Sequence, residues 1–151
     1  MIKPHGSEVL TPLFVADSVR RKNLLEEAKT LPQLVVNSAA AANAVMLGAG
    51  YFTPLKGFMN KADVLSVSAE MRMSDGLFWP VPVANITTSD HAVNVGDRIA
   101  LRDPNIAGEP VMAIQEIESV EALLPEEIEQ IALHVYGTTA SDHPGVATFK
   151  A

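Results

Sequence analysis

The sequence predicts an α+β fold in which helices dominate the first half, short strands fill the middle and one helix lies near the C-terminus. Three observations carry this. Apolar residues recur at helical spacing between about residues 17 and 73. The period then shortens to that of extended chain from Leu77 onward, and prolines and turn residues cut this region into short pieces. A compact, largely antiparallel sheet or partial barrel with flanking helices accommodates that order.

Residues 10–15 are apolar but interrupted by Pro12, which allows at best an edge strand. Asp17 is placed to cap a helix running to about Lys29, with Leu24, Leu25 and Ala28 on one face. Pro32 stops it, and residues 33–36 read as extended. Asn37 and Ser38 offer the cap for a second helix over residues 39–47, closed by Gly48. A third helix is expected after Asn60, carrying Val64, Leu65, Val67 and Met71, until Ser74-Asp75-Gly76 turns the chain. Residues 77–83 form an extended apolar segment in which Pro80 and Pro82 cannot donate to a ladder, and residues 84–88 are expected to continue as strand. Strands follow at residues 98–102 and 110–120, separated by the Asp103-Pro104-Asn105 turn. The last helix is expected from Pro125 to Tyr136: proline suits its first position, Glu126 and Glu127 favour the positive end of its dipole, and Ile128, Ile131, Ala132, Val135 and Tyr136 make a core-facing stripe. Gly137 ends it. Residues 138–151 hold turn residues around His143-Pro144-Gly145 and two apolar side chains, Val146 and Phe149, with no evident partner upstream.

Composition excludes several functions. The 151 residues include no cysteine, which removes disulfides, thiolate metal ligands and a cysteine nucleophile together. A formal charge of −7 with 11 Lys and Arg makes a poor binder of nucleic acid, whose affinity comes largely from phosphate neutralisation. The basic cluster Arg20-Arg21-Lys22 precedes Glu26 and Glu27 at spacings suited to helical ion pairs. The longest apolar run, residues 39–52, is too short to span a bilayer, and the N-terminus lacks the apolar core of a secretory signal. A cytoplasmic location is the expectation, with no membrane partner.

The search for chemistry returns little. Gly48-Ala49-Gly50 begins like a dinucleotide fingerprint, but Thr53 stands at the third glycine position and a helix, not a strand, precedes it. Lys56 precedes Gly57 in the wrong order for a Walker loop. His5, His91, His134 and His143 share no metal-binding spacing. Glu116, Glu118, Glu121, Glu126, Glu127 and Glu129 crowd one strand–helix junction, where a solvated acidic face accounts for them. Asp142-His143 is a candidate dyad, although neighbours in a loop seldom point at each other. Trp79 is expected in the core. No catalytic, cofactor-binding or metal residue is assigned.

Several segments together resemble one family. These are Ile2-Lys3-Pro4-His5-Gly6, the stretch from Gly50 to Met59 (GYFTPLKGFM, similar to GAFSPLxGFM), and the stretch from Met71 to Val83 (MRMSDGLFWPVPV, similar to MRLxDGxLWPIPI). Gly96-Asp97-Arg98-Ile99-Ala100-Leu101-Arg102-Asp103 and Asp142-His143-Pro144-Gly145-Val146 complete the set in the same order. In combination they resemble the N-terminal, PUA-like domain of ATP sulfurylase (sulfate adenylyltransferase), and the run from Ala42 to Phe52 resembles its prokaryotic form. The resemblance implies a PUA-like partial β-barrel over residues 1–137 and a linker over 138–151, leading to a catalytic domain that is absent from this chain. It implies a reaction of MgATP and sulfate giving adenosine 5′-phosphosulfate (APS) and pyrophosphate, or the reverse, in a full enzyme that is a homo-oligomer.

The family's Gln-x-Arg-Asn, His-x-x-His and Gly-Arg-Asp motifs do not occur here, so the domain itself is expected to be non-catalytic and to bind no cofactor, MgATP being a substrate of the whole enzyme. A reaction between two anions needs clustered cations, which this acidic chain lacks. Residues 138–151 are expected to dock on that further domain, with His143-Pro144-Gly145 as a hinge. Two other classes stay open: a stand-alone PUA-like module binding RNA or a small ligand, and a purely structural oligomerisation domain.

Overall fold

A computed structural model describes residues 2–88 and 93–150. The fold is mixed α+β, with five helices and a three-stranded sheet that does not close on itself. It divides into two compact units: residues 1–58 with 84–120, and residues 59–83 with 121–151.

In the first unit, Asp17 caps α1 (Ser18–Ala28), its carboxylate accepting the Arg20 N–H at 2.6 Å. Asn37 caps α2 (Ser38–Ala49) through the Ala40 N–H at 2.8 Å. The close of α2 falls at Gly50 instead of Gly48. Gly50 takes the left-handed conformation, φ 81°, that a residue with a Cβ adopts only under strain.

β1 (Gln33–Val35) pairs in parallel with β2 (Arg98–Arg102), which pairs antiparallel with β3 (Val111–Glu116). The sheet is thus not wholly antiparallel, because α2 and the residues after it separate β1 from its neighbour and let the chain return in the same direction. In β2, Ile99, Ala100 and Leu101 are all buried in succession, so both sheet faces are covered. Ile99 and Leu101 face Leu34, Val36, Ala40, Ala41 and Ile117 in the core. Arg98, on the alternate face, pairs with Glu27 of α1.

Two expected strands are missing. Residues 10–15 form no ladder; instead the Leu13 and Phe14 N–H groups both donate to the Gly48 carbonyl, at 3.1 and 3.0 Å. Residues 84–88 are likewise not a strand. Their carbonyls are met by side chains of the α2 region, Asn43 on Ala84 and Asn37 on Ile86, so no strand partner is needed. β3 also stops at Glu116, short of residue 120, where Ile117 turns into the core and donates to the Asp97 carbonyl.

The second unit holds α3 (Lys61–Glu70), α4 (Pro125–Tyr136) and α5 (Pro144–Lys150), with α4 packed against both others. Asn60 caps α3, and Met71 ends it in the left-handed conformation at φ 52°. The chain then folds back in a tight turn: Trp79 N–H donates to the Met71 carbonyl, and Met73 N–H to that of Leu77. Trp79 is 5% exposed, as the sequence suggested, and Val83 is fully buried.

Two helices, not one, lie near the C-terminus. Pro144 occupies the first position of α5, where its missing N–H costs nothing. Val146 is fully buried, and Phe149 lies 6.3 Å from the Tyr136 ring of α4, so both side chains have partners that sequence spacing alone did not reveal. At Gly145 a Cβ would stand 2.6 Å from Cε1 of Tyr136, so glycine permits close ring packing there.

Candidate functional site

The motifs that draw attention in the sequence are absorbed by the architecture. Gly48-Ala49-Gly50 is the C-terminal end of α2, the negative end of its dipole and the wrong pole for phosphate. A Cβ on Gly50 would lie 3.1 Å from the Pro12 nitrogen, so this glycine seats the segment preceding α1. Thr53, buried within GYFTPLKGFM, fastens the same segment, accepting the Thr11 N–H at 3.0 Å and donating to the Gly50 carbonyl at 2.8 Å. The Thr53–Pro54 bond is cis. Lys56 is exposed.

The Met71–Val83 motif behaves similarly. Asp63 of α3 accepts both the Ser74 N–H and its hydroxyl, Asp75 accepts the Leu77 N–H, and Arg72 donates to the Gly76 carbonyl. Arg72 and Asp75 thus hold the turn together, and Ser74 ties it to α3. The motif therefore encodes a fold-back that carries Trp79.

Most of the crowded carboxylates are structural partners. Leu124, the residue before α4, has no side-chain oxygen to cap the helix, and Glu127 compensates by accepting the Leu124 N–H at 2.7 Å. Glu127 also pairs with Lys61 at 2.7 Å. The Leu124 hydrogen bond, and after it the Lys61 ammonium, hold the Glu127 carboxyl below the ordinary glutamate range against a smaller desolvation effect. Lys61 also donates to the Ala122 carbonyl, and its backbone N–H to Glu121, so this one residue ties the start of α3 to the segment entering α4. Sequence reading missed Lys61, because its partners lie about 60 residues away. Glu129 pairs with Lys150 of α5, and Glu116 stands 3.7 Å from Arg98.

His143 does not form a dyad with Asp142. Its Nδ1 accepts the Val146 N–H at 3.3 Å, capping α5, and its ring lies 5.6 Å from Tyr136. His91 falls outside the described residues, and among those described no three His, Asp or Glu side chains gather to hold a metal ion. Arg20 and Lys22 are exposed on α1, while Arg21 donates to the Val15 carbonyl.

The second unit has a cleft between α3 and α4. It is lined by Leu65, Ser68, Ala69, Glu127, Gln130, Ile131 and His134, with a volume of about 240 Å³. Pockets for metabolite-sized ligands run from about 300 to 1,000 Å³. Ser68 is committed to the Val64 carbonyl at 2.7 Å, and Glu127 to Leu124 and Lys61. This leaves Gln130 and the exposed His134 as its polar contacts, enough to shape a small recess but not to assemble an acid, a base and an anion site.

A mixed α+β fold built on an open three-stranded sheet is the class this architecture defines. The chain belongs to the PUA-like domain family, which matches residues 2–151. It is 53% identical over all 151 residues to a sulfate adenylyltransferase of Alcanivorax borkumensis and 48% identical to that of Allochromatium vinosum, and it spans 38% of the length of each. Among solved structures it is similar to the hexameric APS kinase from Thiobacillus denitrificans, with a TM-score of 0.59 and 33% identity across 76% of this chain and 22% of that one. No helix among the described residues is long and apolar enough to cross a membrane.

Proposed function

We propose that this chain serves as the non-catalytic PUA-like domain of a cytoplasmic sulfate adenylyltransferase, an enzyme interconverting MgATP and sulfate with APS and pyrophosphate. The single observation that carries this reading is the 53% identity to a sulfate adenylyltransferase across the whole chain. The fate of the polar residues supports the non-catalytic part. Joining sulfate to a nucleotide triphosphate requires several cations converging on developing negative charge. In the second unit Lys61 and Lys150 are neutralised by Glu127 and Glu129, and Arg72 is folded onto its own turn. In the first, Arg98 meets Glu27, and Arg102 binds the carbonyls of Gly108 and Glu109. The domain's partner is then a catalytic domain that supplies those cations. Residues 138–151 form the connection toward it, anchored on the way by α5 packing on α4.

Two measurements test this. The 151-residue chain is assayed at high concentration for ATP formation from APS and pyrophosphate, and no turnover is expected; turnover on the order of 1 s⁻¹ would overturn the reading. The chain is then substituted for the matching segment of the Alcanivorax borkumensis enzyme. Sulfate adenylyltransferase activity within about tenfold of that enzyme is expected. A folded but inactive chimera would show that this domain does not belong to such an enzyme.

A further inference from the structure

The helices of this chain are started by groups of two kinds. Asp17, Asn37 and Asn60 offer a carboxylate or carboxamide oxygen to the first turn of α1, α2 and α3, and the Glu127 carboxylate accepts the N–H of the residue before α4. Such oxygens remain acceptors throughout the pH range around neutrality. α5 is started differently. His143 stands just before Pro144, its carbonyl accepts the Ala147 N–H at 2.9 Å, and its Nδ1 accepts the Val146 N–H at 3.3 Å. This is the geometry of an N-cap, with an imidazole nitrogen in place of the usual oxygen.

An imidazole fills that role in one protonation state only. With its proton on Nε2 the neutral ring has a lone pair on Nδ1; once charged, both nitrogens donate and no rotation of the ring restores an acceptor. The Val146 N–H would then face another N–H, and a positive charge would stand at the positive end of a helix. The groups around the ring do not replace the lost acceptor. Tyr136 of α4 faces it with ring centroids 5.6 Å apart, which favours keeping a charged ring in contact but gives Val146 nothing to bond. Asp142, next to it in the chain, is exposed, and Lys150 of α5 is held by Glu129 of α4 and by the Thr139 carbonyl.

We propose that His143 is a proton-operated latch: uncharged, it caps α5 and holds residues 144–150 against α4, and protonated, it lets them go. The remaining contact is slight enough for one cap to matter. α5 has 7 residues, too few for a helix to persist unaided. Its hold on α4 rests on the fully buried Val146, on Phe149 at 6.3 Å from the Tyr136 ring, and on the Lys150–Glu129 pair. Tyr136 meets His143, Gly145 and Phe149 together, so losing the start of α5 loosens the side chains that follow it. The sign follows from proton binding. The released segment takes up a proton that the capped one excludes. The docked form is therefore fully favoured above the histidine range, and that preference is lost as pH falls through it, between about pH 8 and pH 5. The latch lies wholly within the second unit, and it operates whether or not the chain serves a sulfate adenylyltransferase.

Amide hydrogen exchange of the full 151-residue chain, followed by NMR at about pH 7.5 and about pH 5.5 and corrected for the intrinsic pH dependence of exchange, tests it. Protection of residues 146–150 relative to Ile131 of α4 should fall about tenfold on acidification. His143→Asn keeps a capping oxygen but takes up no proton in this range, and should retain the protection at both pH values. His134→Gln, which alters an exposed histidine of α4, should leave the fall as it is. The nitrogen resonances of His143 in the unaltered chain give a reading that needs no variant: at about pH 7.5 they should place the proton on Nε2. A fall that persists in His143→Asn, or that His134→Gln abolishes, overturns the latch. So does equal protection at both pH values, absence of protection at the higher one, or a neutral ring that carries its proton on Nδ1.

Discussion

The two compact units are built by different means. The first rests on aliphatic side chains: Leu34, Val36, Ile99, Leu101 and Ile117 close a core between the sheet and α2, and polar side chains mostly cap helices or fasten loops around it. The second has fewer buried aliphatic residues and a denser web of polar ties, in which Lys61, Asp63, Glu121, Glu127, Glu129 and Lys150 hold helix ends and turns to one another. Burial of apolar area is indifferent to pH and is not screened by salt, whereas ion pairs and charge-assisted hydrogen bonds respond to both. The two units should therefore fail under different conditions.

The largest expected effect lies in the first unit. Leu101→Ala removes a side chain that is 1% exposed at the centre of the sheet, and should cost about 3–4 kcal/mol in urea unfolding, independent of salt. A cost below about 1 kcal/mol would mean that the sheet core is not what holds this unit. Trp79→Ala sharpens the contrast from the other side. It should cost about 3–5 kcal/mol, and the native fluorescence of this single tryptophan should be blue-shifted and hard to quench with iodide.

A smaller effect, with an informative sign, is expected at Gly145. Alanine ordinarily stabilises a helix by about 1 kcal/mol relative to glycine. Here its methyl group would press on the Tyr136 ring, and Gly145→Ala should instead destabilise by about 1–2 kcal/mol. In a Tyr136→Ala background the same substitution should become stabilising. If it stabilises the parent chain as well, α5 is not packed on α4 as described.

The acid response of the second unit should trace to Glu127. Its folded carboxyl titrates below the unfolded value, so its contribution is fully present above the unfolded value and is lost as pH falls through the folded one. The stability gap between the parent and Glu127→Gln, measured by denaturant titration at several pH values, should be constant near neutrality and shrink on acidification. A gap that widens toward acid would reverse the assignment. The smallest effect belongs to the exposed Glu26–Lys29 pair of α1, where Lys29→Ala should change stability by less than about 0.5 kcal/mol.

Functionally, the sequence was most informative through combinations of motifs and least through single residues. GYFTPLKGFM and MRMSDGLFWPVPV pointed to a family, yet the structure shows both at work as architecture, one fastening the N-terminal segment to the end of α2 and the other folding the chain back under Trp79. The individual residues that resembled chemistry, among them Gly50, Glu127 and His143, turned out to cap or seat helices. No local pattern distinguishes a carboxylate that caps a helix from one that transfers a proton, because the difference lies in what stands opposite.

Local chemistry was enough to determine the helix starts at Asp17, Asn37, Asn60 and Pro125, since a cap is decided within three or four residues along the chain. It also determined the apolar stripe that buries Ile131 and Ala132. Only the tertiary structure decided the parallel pairing of β1 with β2, which joins segments more than 60 residues apart. It alone let Asn37 and Asn43 replace a strand partner for residues 84–86, and gave Val146 and Phe149 their place on α4. Each of these depends on groups that meet only after the chain has closed long loops, and no window of neighbouring residues carries that information.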